Sequence, residues 1–277
     1  MKTYKLDKTI TVDTDFTAEM DKGYVIDEVG TSSTDPAILS VAGAPCLEIV
    51  KDLAPAFAEV KNLNPLLPLG AFNVIVPPSK KLRFSGSSGS EMRLKGKIIE
   101  LDPGEVLPAG LLARYTEQAK KFISYKSGVV TVAAAGVWGA KTESKIIDFT
   151  CLAGEKWLFA NRYQAEARLD DLVEVAGGYS QIRINDDPLD ILDTAFGKKG
   201  ISGSAAPNPP RALSTKTTDV EVVSVDKVPA TLEDMKLDLR PGVNLKVYLI
   251  NTGADYTVPA AKTLNLIVHL VGVKEYI

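Results

Sequence analysis

The chain has 277 residues, 45% of them hydrophobic and 24% charged, the composition of a folded protein with room for two domains or one large β-rich domain. A formal net charge of −3 leaves no footprint for sequence-specific nucleic-acid binding, and the basic doublets Lys80-Lys81, Lys120-Lys121 and Lys198-Lys199 are scattered in the manner of solvated surface. Cys46 and Cys151 form no CxxC pair, which excludes a Cys/His zinc cluster; the two could form one disulfide, but two buried free thiols in a reducing cytoplasm are the favoured reading.

The opening segment, "MKTYKLDKTITVD", lacks the apolar core of a signal peptide, and the weakly polar run Val129–Ala140 is too short to span a bilayer. Alternating or β-branched stretches then predict strands over Lys5–Val12, Tyr24–Val29, Phe72–Val76, Leu82–Ser85 and Met92–Leu101. The polar stretch Thr31–Pro36 and the "SGSSGS" of Ser85–Ser90 punctuate them, the second as a flexible hairpin loop. Between Leu47 and Leu69 the chain is apolar and broken by prolines without alternation, so no strand is assigned there and an interface segment is expected.

A helix is expected near 109–125, where Leu111, Leu112, Tyr115, Ala119, Phe122 and Ile123 share a helical face, Pro108 lies near the start and Gly128 just past the end. Strands resume at Val129–Val132, Lys145–Cys151, Lys156–Ala167 and Gln181–Ile184. A short helix is expected near 188–196, capped by Asp187, opened by Pro188 and ended by Gly197. A long Pro/Gly/Ser-rich loop covers 197–218, followed by strands at Val220–Val225, Leu245–Ile250 and Leu264–Val273. The pattern is mainly β, with no βαβ rhythm: two antiparallel β-sandwiches over 1–143 and 144–277, with one or two short helices.

One short frame recurs in "LDPGEVL" (101–107), "CLAGEKWLF" (151–159), "LRPGVNL" (239–245) and "VPAAKTL" (258–264). An apolar residue precedes a small or Pro-containing turn, in which Gly104, Gly154 and Gly242 tolerate positive φ, and a large apolar residue follows three positions after the Gly or Ala. In three copies the large residue anchors a strand entering the core, and after Gly104 it leads into the expected helix; the frame is a structural signature, not a binding motif.

Little catalytic chemistry is visible. His269 is the only histidine, so no metal site or triad that needs a second one can form, and its place in "NLIVHLVGV" on the face of Ile267 and Val271 reads as a core or interface residue. The same count argues against a cupin-type metal enzyme. Asp186, Asp187, Asp190 and Asp193 could offer hard oxygen ligands to Ca²⁺, but without the EF-hand spacing helix capping is the simpler reading. The "GSSGS" loop lacks the tail of a phosphate-binding P-loop. Trp138, Trp157, Tyr163 and Tyr179 could line an aromatic strip for carbohydrate, although the alternation around Trp157 favours a core position.

The paired β-rich halves, each with a helical excursion, the segment "SQIRINDDPLDIL" and the closing run from Leu239 to Val273 together resemble the layout of jelly-roll major capsid proteins of tailless icosahedral viruses with an internal membrane. That resemblance implies a virion structural protein made in the host cytoplasm. It would be a non-enzymatic, self-assembling shell subunit, trimeric with a pseudo-sixfold outline, without cofactor or metal, and in contact with itself, other virion proteins and an internal membrane. The second reading is a carbohydrate-binding or cell-surface adhesion sandwich.

Overall fold

Period-two alternation puts one face of each strand in an apolar interior and the other in water, and the chain satisfies this with paired antiparallel sheets. The computed structural model describes residues 1–49, 66–160, 164–169, 178–188, 194–196, 201–202, 211–212, 235–251 and 254–277. Contacts divide them between two units, Met1–Ser124 with Val273–Ile277, and Tyr125–Gly272.

The strands of the first unit are β1 (Lys2–Thr11), β2 (Asp15–Thr17), β3 (Lys22–Thr31), β4 (Ala37–Val41), β5 (Ala44–Ile49), β6 (Leu67–Pro68), β7 (Val74–Val76), β8 (Lys81–Ser85) and β9 (Glu91–Glu100). One sheet runs β1-β9-β3 and then the split strand β6/β7; the other runs β2-β8-β4-β5. With the split strand as one position, the eight positions B to I fall in the orders B-I-D-G and C-H-E-F, the strand order of a jelly roll. Leu39, Leu82, Phe84 and Ile49 of the second sheet and Ile26, Met92 and Leu94 of the first are buried almost completely.

The second unit holds β10 (Lys121–Val132), whose first residues belong to the first unit, then β11 (Val137–Trp138), β12 (Glu143–Thr150), β13 (Glu155–Ala160) and β14 (Gln164–Leu169). After these come β15 (Gly178–Ile184), β16 (Asp187–Pro188), β17 (Thr194–Phe196), β18 (Ile201–Ser202), β19 (Arg211–Ala212), β20 (Met235–Leu239), β21 (Asn244–Asn251), β22 (Tyr256–Thr257) and β23 (Leu264–Tyr276). Its main sheets run β10-β23-β13-β20 and β12-β21-β15-β16, with β17 also on β15 and β14 on β23. These are again B-I-D-G and C-H-E-F. Trp157, Phe159, Leu239, Leu266, Val268 and Leu270 from one sheet meet Ile147, Ile182, Leu245, Val247 and Leu249 from the other in a single core. The protein is mainly β, two jelly-roll sandwiches in one chain.

The recurrent frame is a type II turn. In Asp102–Glu105, Leu152–Glu155, Arg240–Val243 and Pro259–Lys262 the fourth N–H donates to the first carbonyl at 2.9–3.2 Å. Gly104, Gly154, Gly242 and Ala261 hold φ between 64° and 86° in the third position, the requirement of that turn. The flanking residues Leu101, Leu107, Cys151, Trp157, Leu239, Leu245, Val258 and Leu264 are all buried. The same bonding and positive φ appear at Pro77–Lys80, Ser87–Ser90, Ala133–Gly136 and Gly139–Thr142, with Ser79, Gly89, Ala135 and Lys141 in the third place. Glycine spelling alone conceals three of these four. The G–H and H–I connections use this turn in both units, and both E–F connections are two-residue hairpins with positive φ at each central residue, Ala42-Gly43 and Asn185-Asp186.

That second hairpin corrects the helix expected near 188–196. Asn and Asp enter the left-handed region more readily than other non-glycine residues, and here Asn185 Oδ1 accepts the Asn244 N–H while Asp186 accepts from Lys246, so the chain folds back with Asp187 opposite Ile184 and Pro188 opposite Arg183. Thr194–Phe196 is a strand on Gly178–Ser180, while residues 189–193 lie outside the described residues, as does the strand expected at Val220–Val225. Of the loop expected over 197–218, Ile201–Ser202 pairs with Arg211–Ala212.

The helix near 109–125 is present but shorter, α1 (Ala109–Gln118). Phe122, Ile123, Ser124 and Tyr125 are all buried, so both faces of the segment are covered, and that demand is met by strand β10 and not by one helical face. Leu111 and Tyr115 of α1 pack on Val25, Ile75, Ile99, Leu101 and Leu107. At its end buried Gln118 donates Nε2–H to the Ile75 carbonyl and accepts the Ile75 N–H through Oε1, each at 2.8 Å. A side-chain amide thus stands where the next strand would, closing the edge of β7. The "SGSSGS" stretch is anchored as well: the Ser33 and Ser87 hydroxyls lie 3.0 Å apart, and the Ser87 N–H donates to Ser33 Oγ at 2.8 Å. In the segment from Leu47 to Leu69, Leu47 and Ile49 belong to β5 and, with Leu66, Leu67 and Leu69, are buried within the first unit; residues 50–65 lie outside the described residues.

Two substitutions separate backbone strain from packing. No atom approaches a Cβ built at Gly242, so Gly242→Ala costs roughly 1 kcal/mol from the left-handed conformation alone. Ala261→Gly relieves the same strain and stabilises by about 0.5 kcal/mol once the added chain entropy is deducted; paired denaturant titrations read both signs. Gln118→Ala strands the buried Ile75 peptide and lowers stability by about 1–3 kcal/mol in the same assay.

Candidate functional site

The outward face of β12, β21 and β15 gathers the largest set of partnered polar side chains among the described residues. Inward Leu245, Val247 and Leu249 alternate with outward Asn244, Lys246 and Tyr248, and antiparallel register sets Asp148 and Arg183 on either side of Lys246. Arg183 donates to Glu143 at 2.7 Å and lies 4.2 Å from the Tyr248 ring centroid. Lys246 reaches Asp186 at 2.5 Å and Lys145 reaches Asp148 at 2.5 Å. Asn244 Nδ2 donates to Asp148 at 2.9 Å and to Thr150 at 3.0 Å, and its N–H donates to Asn185 Oδ1 at 2.9 Å.

The corresponding sheet of the first unit carries a smaller version. Arg83 reaches Asp13 at 3.0 Å and Lys81 reaches Asp15 at 3.2 Å. On β1 and β9, Arg93 grips Asp7 with two bonds of 3.0 Å. These pairings move the titrations in the usual directions. Arg93 holds the Asp7 carboxyl below the ordinary range, Lys145 and then Asn244 do so for Asp148, and Asp186 raises Lys246. Chemically the faces are ladders of mutually neutralised charge, suited to solvent or to a polar protein surface.

The residues singled out in the sequence disperse. Asp186 is an exposed turn residue engaged by Lys246, Asp187 opens β16, and Asp190 and Asp193 lie outside the described residues. Among the described residues no three His, Cys, Asp or Glu side chains are placed to hold a metal ion. Trp138 and Trp157 are buried in the second core, which removes them from an exposed aromatic strip. Trp157 stacks on Phe159 with centroids 5.1 Å apart and meets Phe149 edge-on at 5.4 Å, while Lys126 Nζ lies 4.4 and 4.6 Å from the Phe149 and Trp157 centroids. Tyr163 lies outside the described residues, and Tyr179 is in β15.

His269 is buried in β23 opposite Gln164, on the strand face of Ile267 and Val271. Both thiols are buried and in no disulfide; the Cys46 S–H donates to the Leu39 carbonyl at 3.1 Å, and burial pushes that thiol's pKa up. Sequence reading missed Glu143, Asp148, Arg183, Asn244 and Lys246 as a group. Their polar places in alternating strands were visible, but the register that joins them was not.

No family model matches the chain, and no curated protein matches it. Among solved structures, the STIV major capsid protein aligns over 98% of this chain and 97% of its own, at 10% identity and a TM-score of 0.38. The major capsid protein P2 of bacteriophage PM2 aligns over 97% and 98%, at 10% identity and a TM-score of 0.32. A conserved protein of unknown function from Pseudomonas aeruginosa PAO1 aligns over 99% and 83%, at 8% identity and a TM-score of 0.22. All three scores fall below 0.5, so the fold assignment rests on the sheet orders alone.

The ion-pair ladders have an acid signature. A carboxylate whose folded pKa lies below its unfolded value stabilises the fold above the unfolded pKa and loses that contribution as pH falls through the folded one. For Asp7 and Asp148 the loss falls below about pH 4. Asp7→Asn and Asp148→Asn therefore flatten the decline of unfolding free energy in that acid range; a decline as steep as in the unmodified protein would contradict the assignment.

Proposed function

We propose that this chain is a virion structural protein, a self-assembling shell subunit without catalytic activity. The observation that carries the reading is the tandem repetition of one jelly-roll strand order, B-I-D-G with C-H-E-F, in both units of a single chain. Jelly rolls serve chiefly as capsid, lectin and cupin domains. Two alike units in each chain suit a closed homo-oligomer, because a trimer then offers six similar units for lateral packing from one gene product. The burial of Trp138 and Trp157 weighs against the lectin-like alternative. On this reading the partners are further copies of the chain, other virion proteins and an internal membrane, and the protein resides in the virion after synthesis in the host cytoplasm.

Light scattering behind a sizing column, across a concentration series, tests the reading. A discrete trimer or larger closed particles are expected. A monomer at every concentration overturns the shell role.

A further inference from the structure

We draw no further inference here: the strongest candidate, the exposed apolar side chains at the C–D turns of the two units, Met20 in the first and Leu152 in the second, carries nothing because nothing in the structure shows what covers them.

Discussion

The fold depends on reversing the chain within four residues while keeping both flanking side chains in the core. A type II turn does this when its third residue accepts positive φ, and the strain of that conformation is small for Gly and about 1 kcal/mol or more for other residues. Ser79, Ala135, Lys141 and Ala261 accept the strain. In the three frames around Ser79, Ala135 and Ala261, burial of Leu82, Trp138 and Leu264 on the outgoing side stabilises by about 1.5–3 kcal/mol each, enough to outweigh it. Turn geometry and core burial are therefore one constraint in these segments, and the apolar anchor matters more than the glycine.

From that constraint the sheet faces follow. Once the anchors fix which residues point inward, alternation assigns every second residue to the outside, and antiparallel register brings acids and bases from neighbouring strands into reach. Asp148, Lys246 and Arg183 lie across three adjacent strands for this reason. Exposed pairs of this kind add little stability individually, but they give the charged groups that alternation places outside partners of opposite sign. The open edge at β7 is treated differently, with the Gln118 amide supplying the hydrogen bonds that a further strand would have made.

Much of this was legible in the sequence. Strands over Lys5–Val12, Met92–Leu101, Leu245–Ile250 and Leu264–Val273 carried clean alternation or β-branched runs, and the recurrent frame named four turns correctly. What failed was local chemistry with two meanings. "NDDP" reads as a helix cap and also as a tight hairpin, and the sheet context selected the hairpin. Phe122 and Ile123 continued a helical stripe from α1, yet pairing within a sheet covered on both faces made Phe122–Tyr125 part of a strand. The hairpin β4–β5 was missed because its turn is Ala-Gly instead of the more recognisable Asn-Gly. The ladder on β12, β21 and β15 could not be found in advance, since one residue of register shift would change every pair.

Both units thread their strands in the same order, and cross-strand amide and Hα nuclear Overhauser contacts in solution read that order residue by residue. Lys97 on β9 is expected to show contacts to both Lys5 and Val25, and Tyr248 on β21 to both Lys145 and Gln181. Contacts placing either strand at a sheet edge, or beside different partners, would contradict the tandem jelly roll.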